Sequence, residues 1–415
     1  MTFRKRLESV LTATDRLSVT DNGELMIDGC KASDLVAEHG SPLFVLSENT
    51  LRDNLRRVKA AFVGRWPQPV NVMFAIKANN NFAVRAICNE EGVGGDCFGA
   101  GEVEATYIGG ADPKRVALNG TVKSEDAIRR AIQYGYSIHL DSYEEIEIIE
   151  RITNELGATG VRIGVRLKVL PDTFFKGYDG DAYPVGDFLW AMNRMKFGLL
   201  KDTAIKIVKR VNDIPAFEFY GFQTHLGRFG KQLEGWEALY RQFAKDVIEI
   251  SRACDVTPFM VDLGGGWPRE RDPESRGYEQ NPHQIEDYAD VVCKGMRDEF
   301  EKVNFPIPQL WMEPGRYIAG NMGVLLSSVN VVKRDGDLTY TTCDASTYLA
   351  ILVESHGSKN MVLPATKMDD DVTMKSDIVG PICVPSIWAG GAEAIEDLFA
   401  TQILPERLKT DEARP

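Results

Sequence analysis

The chain has 415 residues, and its 48 Lys and Arg against 61 Asp and Glu give a formal charge of −13. That acidic balance argues against a nucleic-acid or anionic-membrane binder, since both recruit lysine and arginine patches. At 44% hydrophobic and 26% charged residues the composition is that of a globular protein, and the length fits two domains or one large α/β barrel with an appendage.

No apolar run reaches the roughly 18 residues that a membrane helix needs, and the basic start, Met1 to Glu8, has no apolar stretch behind it. The expectation is therefore a cytoplasmic protein with no membrane partner. The 7 Cys are odd in number and scattered, without Cys-x-x-Cys spacing, which fits reduced thiols better than disulfides or a zinc site; no metal is expected.

In chain order, Leu17 to Ile27 predicts short strands about the turn Asn22-Gly23, Lys31 to His39 a helix closing at Gly40, and Leu43 to Leu46 another strand. From about residue 50 the pattern becomes regular: a short apolar strand, a loop, an amphipathic helix, then a strand again. The strand candidates are Val70–Ile76, Gly94–Cys97, Val116–Asn119, Ser137–Asp141, Val161–Leu167, Phe219–His225, Phe259–Leu263 and Gln309–Glu313. The intervening helices carry apolar residues at i, i+3, i+4 and i+7, as in Leu239, Phe243, Val247 and Ile250, and Ser124 before Glu125-Asp126 is a capped, dipole-matched start.

Strict alternation implies parallel strands, and this number of units closes a barrel, with a doubly wound open sheet as the alternative. Past Gly320 the texture changes to β-rich pieces, Val324–Val332, Leu338–Cys343 and Ile378–Cys383, which predict an antiparallel β domain; Asp369-Asp-Asp371 reads as an exposed acidic turn and Glu393 to Phe399 as a helix.

Polar and glycine-rich signatures recur at the carboxyl ends of the strands, the rim on which barrels build active sites. Lys77 ends the apolar run Val72 to Ile76; a lysine on a low-dielectric floor becomes a nucleophile for carbonyls, although alone it is more often a snorkelling rim residue. Asp262-Leu-Gly264-Gly265-Gly266 offers backbone N–H groups to a phosphate, or is simply a tight turn. In Glu313-Pro-Gly315-Arg316 the guanidinium suits a phosphate and the carboxylate a protonated ring nitrogen. His225 can stack on an aromatic ring or sit in the core, and Asp96 and Arg166 stand at the same strand ends. Cys383 follows a turn that could deliver a thiol, though a lone Cys is more often a small buried hydrophobe. A lysine for an imine, a carboxylate for a pyridinium, a stacking group and a phosphate cradle together describe pyridoxal 5′-phosphate.

At this point the chain resembles the barrel-type pyridoxal-phosphate decarboxylases that act on diaminopimelate, ornithine and arginine, the diaminopimelate branch above all. The resembling motifs are Phe74 to Asn79, Gly95-Asp96 with Gly99 to Glu102, Gly120 to Lys123, Asp141-Ser142, Lys196 to Gly198, Thr224 to Gly227, Asp262 to Gly266, Glu313 to Arg316 and Gly380 to Cys383. Glu24 to Leu46 matches too.

The resemblance implies a (β/α)8 TIM-like barrel over residues 49–318, with residues 1–48 joining a β domain at 319–415. It implies that Lys77 holds the cofactor, His225 stacks on its ring, Glu313 meets the ring nitrogen, and Gly264, Gly265, Gly266, Gly315 and Arg316 bind the phosphate, with Asp96 and Arg166 in the same cofactor-binding set. It also implies a homodimer with shared active sites, in which Cys383 from the partner protonates the product. The substrate half departs from the family. Cys383 is followed by Val384-Pro385-Ser386 where an acidic residue is usual. Asp344 to Leu352 lacks the carboxylate-gripping Arg, Arg228 stands where a phosphate-contacting Ser is expected, and the chain ends before the usual Gly-Ala-Tyr strand. The function these features imply is decarboxylation of a diaminopimelate- or lysine-like substrate in toxin or antibiotic biosynthesis, with meso-diaminopimelate decarboxylation for lysine synthesis, or a weakly active accessory protein, as alternatives.

Overall fold

A computed structural model of the chain describes residues 2–171, 193–225, 231–271, 281–346, 349, 361–371, 376–383 and 387–389. The chain divides into two units: Met1–Thr50 with Glu270–Pro282 and Asn321–Pro415, and Leu51–Arg269 with His283–Gly320. Among the described residues no helix is long and apolar enough to cross a membrane.

In the first unit, strands β1 (Leu17–Val19), β2 (Leu25–Ile27) and β3 (Cys30–Lys31) form an antiparallel sheet about the Asn22-Gly23 turn. The helix Ala32–His39 follows and closes at Gly40, as the sequence predicts for Lys31 to His39, and leads to β4 (Leu43–Leu46).

The second unit is the barrel. Its strands are β5 (Val70–Ala75), β6 (Gly94–Cys97), β7 (Val116–Leu118), β8 (Ser137–Leu140), β9 (Val161–Leu167), β10 (Phe217–His225), β11 (Met260–Gly264) and β12 (Gln309–Glu313), closed in the order β10-β11-β12-β5-β6-β7-β8-β9 with every neighbour parallel. The open-sheet alternative is thereby removed. One periodicity makes the strands and another the helices. Residues such as Phe74, Leu118, Ile138, Val165, Phe222 and Leu263 are buried on the outer face of the strands, where the helices cover them. Ser124 does cap its helix, accepting from the Ala127 N–H at 3.2 Å, and left-handed Gly135 ends it. The strand read as Val70–Ile76 stops at Ala75, because Ile76-Lys77-Ala78 winds into one 3-10 turn.

The chain then returns to the first unit. Strand β13 (Gly323–Leu326) pairs antiparallel with β4, and β14 (Val329–Asp335), β15 (Leu338–Cys343), β16 (Asp377–Val379) and β17 (Ile387–Ala389) make a four-stranded sheet, antiparallel except for the parallel β15–β16 pair. The single piece read as Val324–Val332 is two strands. The Asp344 carboxylate accepts from the Ser327 hydroxyl at 2.6 Å and the Ser328 N–H at 2.9 Å, which turns the backbone between them. Strand β16 stops before Gly380-Pro381, since proline has no N–H for the ladder. The unit's core is Leu7, Leu25, Ile27, Ala32, Leu326 and Met368. Asp369 to Asp371 is exposed as expected, with Asp369 paired to Arg4; the helix expected at Glu393 to Phe399 lies outside the described residues.

Candidate active site

A strand covered by helices on its outer face sends every second side chain into the barrel. Low in the barrel these are apolar or aromatic: Met73, Ala117, Tyr220, Met260 and Trp311 cluster into a floor. Toward the carboxyl ends they turn polar, with Asp96, His139, Arg166, Gln223 and His225, then Asp262 and Glu313, while Asn119 and Asp141 stand one residue past β7 and β8.

Bonds that cross the barrel tie this layer together. The Asn119 amide donates to Asp96 Oδ1 at 2.6 Å and to Glu313 Oε1 at 2.8 Å. The Gln223 amide donates to both Glu313 oxygens at 3.1 Å. Glu313 is thus a buried carboxylate served by two neutral amides. Asp96 is held well above the usual carboxylate range, first by burial and then by Glu313, with Lys77 and Asn119 opposing. Asp262 is raised in the same direction by burial and by Glu313. His139 Nδ1 lies 3.7 Å from Asp262 Oδ2, and burial pushes its imidazole down to about 3, so it is neutral.

Lys77 leaves this layer on the 3-10 turn after β5. It is exposed, with Nζ 4.3 Å above the Phe98 ring, so an aromatic face lies beneath the amine. Phe98 is itself anchored by its N–H to Glu102 at 2.7 Å. Gly315 lies against the same turn: a Cβ there would be 3.0 Å from the Ala75 Cβ and 3.2 Å from the Ala78 Cβ. At Gly264 a Cβ would stand 2.3 Å from Glu313 Oε2 and 2.6 Å from His225 Cδ2, so the glycine holds open the space where carboxylate and imidazole converge. Burial, then Lys77 and Arg166, push the His225 imidazole well below its ordinary value, which leaves it neutral. Tyr240 fixes the glycine turn by donating to the Gly264 carbonyl at 2.8 Å. Gly265 and Gly266 continue it, and half-buried Arg316 opens the short helix Arg316–Ala319.

Arg166 is buried, with Nη1 3.5 Å from Asp141 Oδ2 and its guanidinium 4.9 Å over Phe197. Asp141 Oδ1 accepts the Gly198 N–H at 2.5 Å. Behind it, Lys123 is buried on Glu145 at 2.8 Å, and the other Glu145 oxygen accepts the Asp141 N–H at 2.8 Å. Two sequence motifs, at Gly120 to Lys123 and at Lys196 to Gly198, are therefore joined through one carboxylate loop.

Most of the residues singled out in the sequence gather at this one barrel mouth. Cys383 is an exposed thiol of the other unit. Gly227, Arg228 and Val384 to Ser386 lie outside the described residues. Residue type alone assigns no chemistry to Asn119, Gln223, His139 and Asp262. Their signal was present as polar residues alternating with apolar ones on strands whose outer face is buried.

The family model described as the pyridoxal-dependent decarboxylase pyridoxal-binding domain matches residues 48–320. The chain is 30% identical to the diaminopimelate decarboxylase of Pseudomonas aeruginosa over 372 residues, 89% of this chain and 82% of that protein. It is 28% identical to that of Methanothermobacter thermautotrophicus over 88% of this chain and 81% of the relative. Among solved structures, the diaminopimelate decarboxylase of M. jannaschi superposes with a TM-score of 0.78 at 23% identity, covering 89% of this chain and 82% of that one. The lysine decarboxylase of Selenomonas ruminantium superposes with a TM-score of 0.67 at 19% identity, over 90% and 87%. With that match spanning the whole barrel and its polar mouth, the chain belongs to the pyridoxal-dependent decarboxylases, the carboxy-lyases of the diaminopimelate, lysine and ornithine type that work with pyridoxal 5′-phosphate.

Proposed function

We propose that the chain decarboxylates a diaminopimelate- or lysine-like amino acid in a specialised biosynthetic pathway, for a toxin or an antibiotic, as a homodimer with shared sites. The observation that carries the reading is the convergence of Glu313 and His225 on Gly264, beside the turn that bears Lys77. That cradle fits the cofactor, whose ring supplies an electron sink for the carbon that loses carbon dioxide.

Lys77, exposed at its strand end, would hold the cofactor covalently. Glu313, with two amide donors orienting it, would accept from the ring nitrogen. Neutral His225 would serve as the stacking group for the ring. Gly264, Gly265, Gly266 and Gly315 offer close backbone approach and Arg316 a charge to the phosphate, while Asp96 and Arg166 border the same space. Cys383 of one protomer donates the proton that replaces the lost carboxylate in the other.

The substrate assignment rests on Asp344 to Leu352, which has no Arg. A site without a cation for a second carboxylate discriminates poorly in its favour. The names of the relatives favour a second reading, meso-diaminopimelate decarboxylation for lysine synthesis. A third is a weakly active cofactor-binding accessory protein.

Purified protein should show bound-cofactor absorbance that Lys77→Ala loses, and should release carbon dioxide from a lysine-like member of an amino-acid panel. Absent cofactor absorbance would overturn the site. Rapid lysine formation from meso-diaminopimelate would select the second reading, and no carbon dioxide from any member the third.

A further inference from the structure

Three carboxyl groups, Asp96, Asp262 and Glu313, share the barrel mouth fully buried, and the hydrogen-bond donors around them are unevenly dealt. Glu313 accepts from Asn119 and Gln223, and Asp96 accepts from Asn119. Asp262, 0% exposed, accepts from nothing: neither of its oxygens has a partner among the described residues. An ionised carboxylate in that position would be desolvated with no compensating bond, at a cost that proteins avoid by keeping the proton.

The surroundings agree with a neutral acid. A ring nitrogen of His139 and one carboxyl oxygen each of Asp262 and Glu313 all lie within 4.8 Å of one another, and His139 is neutral with both ring nitrogens unbonded among the described residues. Two carboxyl groups in that proximity, with no donor between them, need a proton to be compatible. Gln223 and Asn119 spend their N–H groups on Glu313, which makes Glu313 the anion of the pair and Asp262 the acid. Burial and the Glu313 charge both push Asp262 upward, with Asp96 adding to them and Arg166 opposing.

We propose that Asp262 is a positioning residue that stays protonated through neutral pH, donates its O–H to Glu313, and so fixes Glu313 as the anion and orients it toward the cofactor. The second half rests on the reading that Glu313 meets the ring nitrogen; the first half stands on the protein alone.

Difference infrared spectroscopy tests it on both the cofactor-loaded and the cofactor-free protein. The wild-type-minus-Asp262→Asn difference spectrum at pH 8 should show a protonated-carboxyl stretch, any band of Asp96 being common to both proteins and cancelling. The Asn variant, which keeps a donor in place of the O–H, should hold cofactor within about threefold of wild type, whereas Glu313→Gln should lose about tenfold or more, the scale of one hydrogen bond to a charged group. Asp262→Leu, with no donor, should fall between the two. Absence of that stretch from the difference spectrum would overturn the proposal, as would an Asn variant that loses as much affinity as Glu313→Gln. If Glu313→Gln leaves cofactor affinity and absorbance unchanged while the stretch is present, the proton on Asp262 is upheld and the placement of Glu313 at the ring is what fails.

Discussion

The barrel mouth and the helical exterior of the same unit are both networks of charged and polar side chains, built on opposite terms. Outside, Arg241 on the helix Leu233–Cys254 meets Glu237 at 2.9 Å, Asp298 at 2.8 Å and Glu299 at 3.2 Å, the latter two on the neighbouring helix Ile285–Lys302, and Lys294 adds a second cation to Asp298. Each charge there has an opposite within reach and water at its back. Inside, three buried carboxyl groups and a buried imidazole are served by two amide side chains. Where cations are scarce, protons and neutral donors must settle the charge, so the interior is sensitive to changes that the exterior absorbs.

The sharpest break of this contrast is Lys123→Met. Lys123 is the interior's one closely matched cation on Glu145 among the described residues, at 2.8 Å with the amine fully buried. Methionine keeps the volume and removes the charge, leaving Glu145 with only the N–H groups of Asp141 and Ser142. Removing one partner of a buried pair costs about 3–5 kcal/mol, and urea unfolding should show a loss of that size. A loss under about 1 kcal/mol would mean that the interior pair behaves like a surface one.

Next in size is Gly264→Ala. The new methyl would press on Glu313 Oε2 and on the His225 ring, and Glu313 cannot swing aside without giving up Gln223. Overpacking of about 1–3 kcal/mol should appear as roughly ten- to hundredfold weaker cofactor binding, measured by titrating cofactor-free protein. Binding within about twofold would show that the cradle is elsewhere.

How far this interior was legible in the sequence divides along the same line. The barrel strands were readable because their outer faces are apolar runs between turn signals, and Lys77, Glu313 and the Gly264 turn were readable because their types announce their chemistry. Gln223 and Asn119 were not, since a neutral amide on a strand carries meaning only once the strand across the barrel is known, and Gln223 lies 90 residues from the carboxylate it serves. Asp262 reads in the sequence only as part of a glycine motif, because its side chain's lack of donors among the described residues is a property of the closed barrel. The split between β13 and β14 depended likewise on a distant acid, Asp344, reaching Ser327 and Ser328.

Acid is the next probe. The His139 value falls from the ordinary 6.5 to about 3, first by burial and then by Lys123, Arg166 and Arg162, with Asp262 the acid nearest the ring. Between those two values the unfolded chain takes up a proton that the folded chain refuses, so stability falls as pH falls from 6.5 toward 3. Asp96 and Asp262 act in the opposite sense, losing stability as pH rises from the ordinary 3.8. The two trends overlap, so the comparison that isolates His139 is wild type against His139→Gln. Over pH 6.5 to 4.5 the variant should lose less stability than wild type, by a little over 1 kcal/mol per pH unit, read from urea midpoints in matched buffers. Parallel slopes would mean that the buried imidazole is charged.

The smallest effect is expected where the drawn network is densest. Arg241→Ala deletes three ion pairs at once, yet each remaining carboxylate keeps solvent, and Asp298 keeps Lys294. Burial opposes its partners in setting the guanidinium's upward shift, so part of what the pairs contribute is spent in desolvating it. Screened pairs of this kind are worth about 0–1 kcal/mol, and the arginine stem adds a little packing between the two helices. The expected loss is therefore under about 1 kcal/mol, and it should shrink further in 1 M salt, where the Debye length is roughly 3 Å. A salt-independent loss as large as that of Lys123→Met would show that the number of partners, rather than the scarcity of solvent, decides what a charge is worth in this protein.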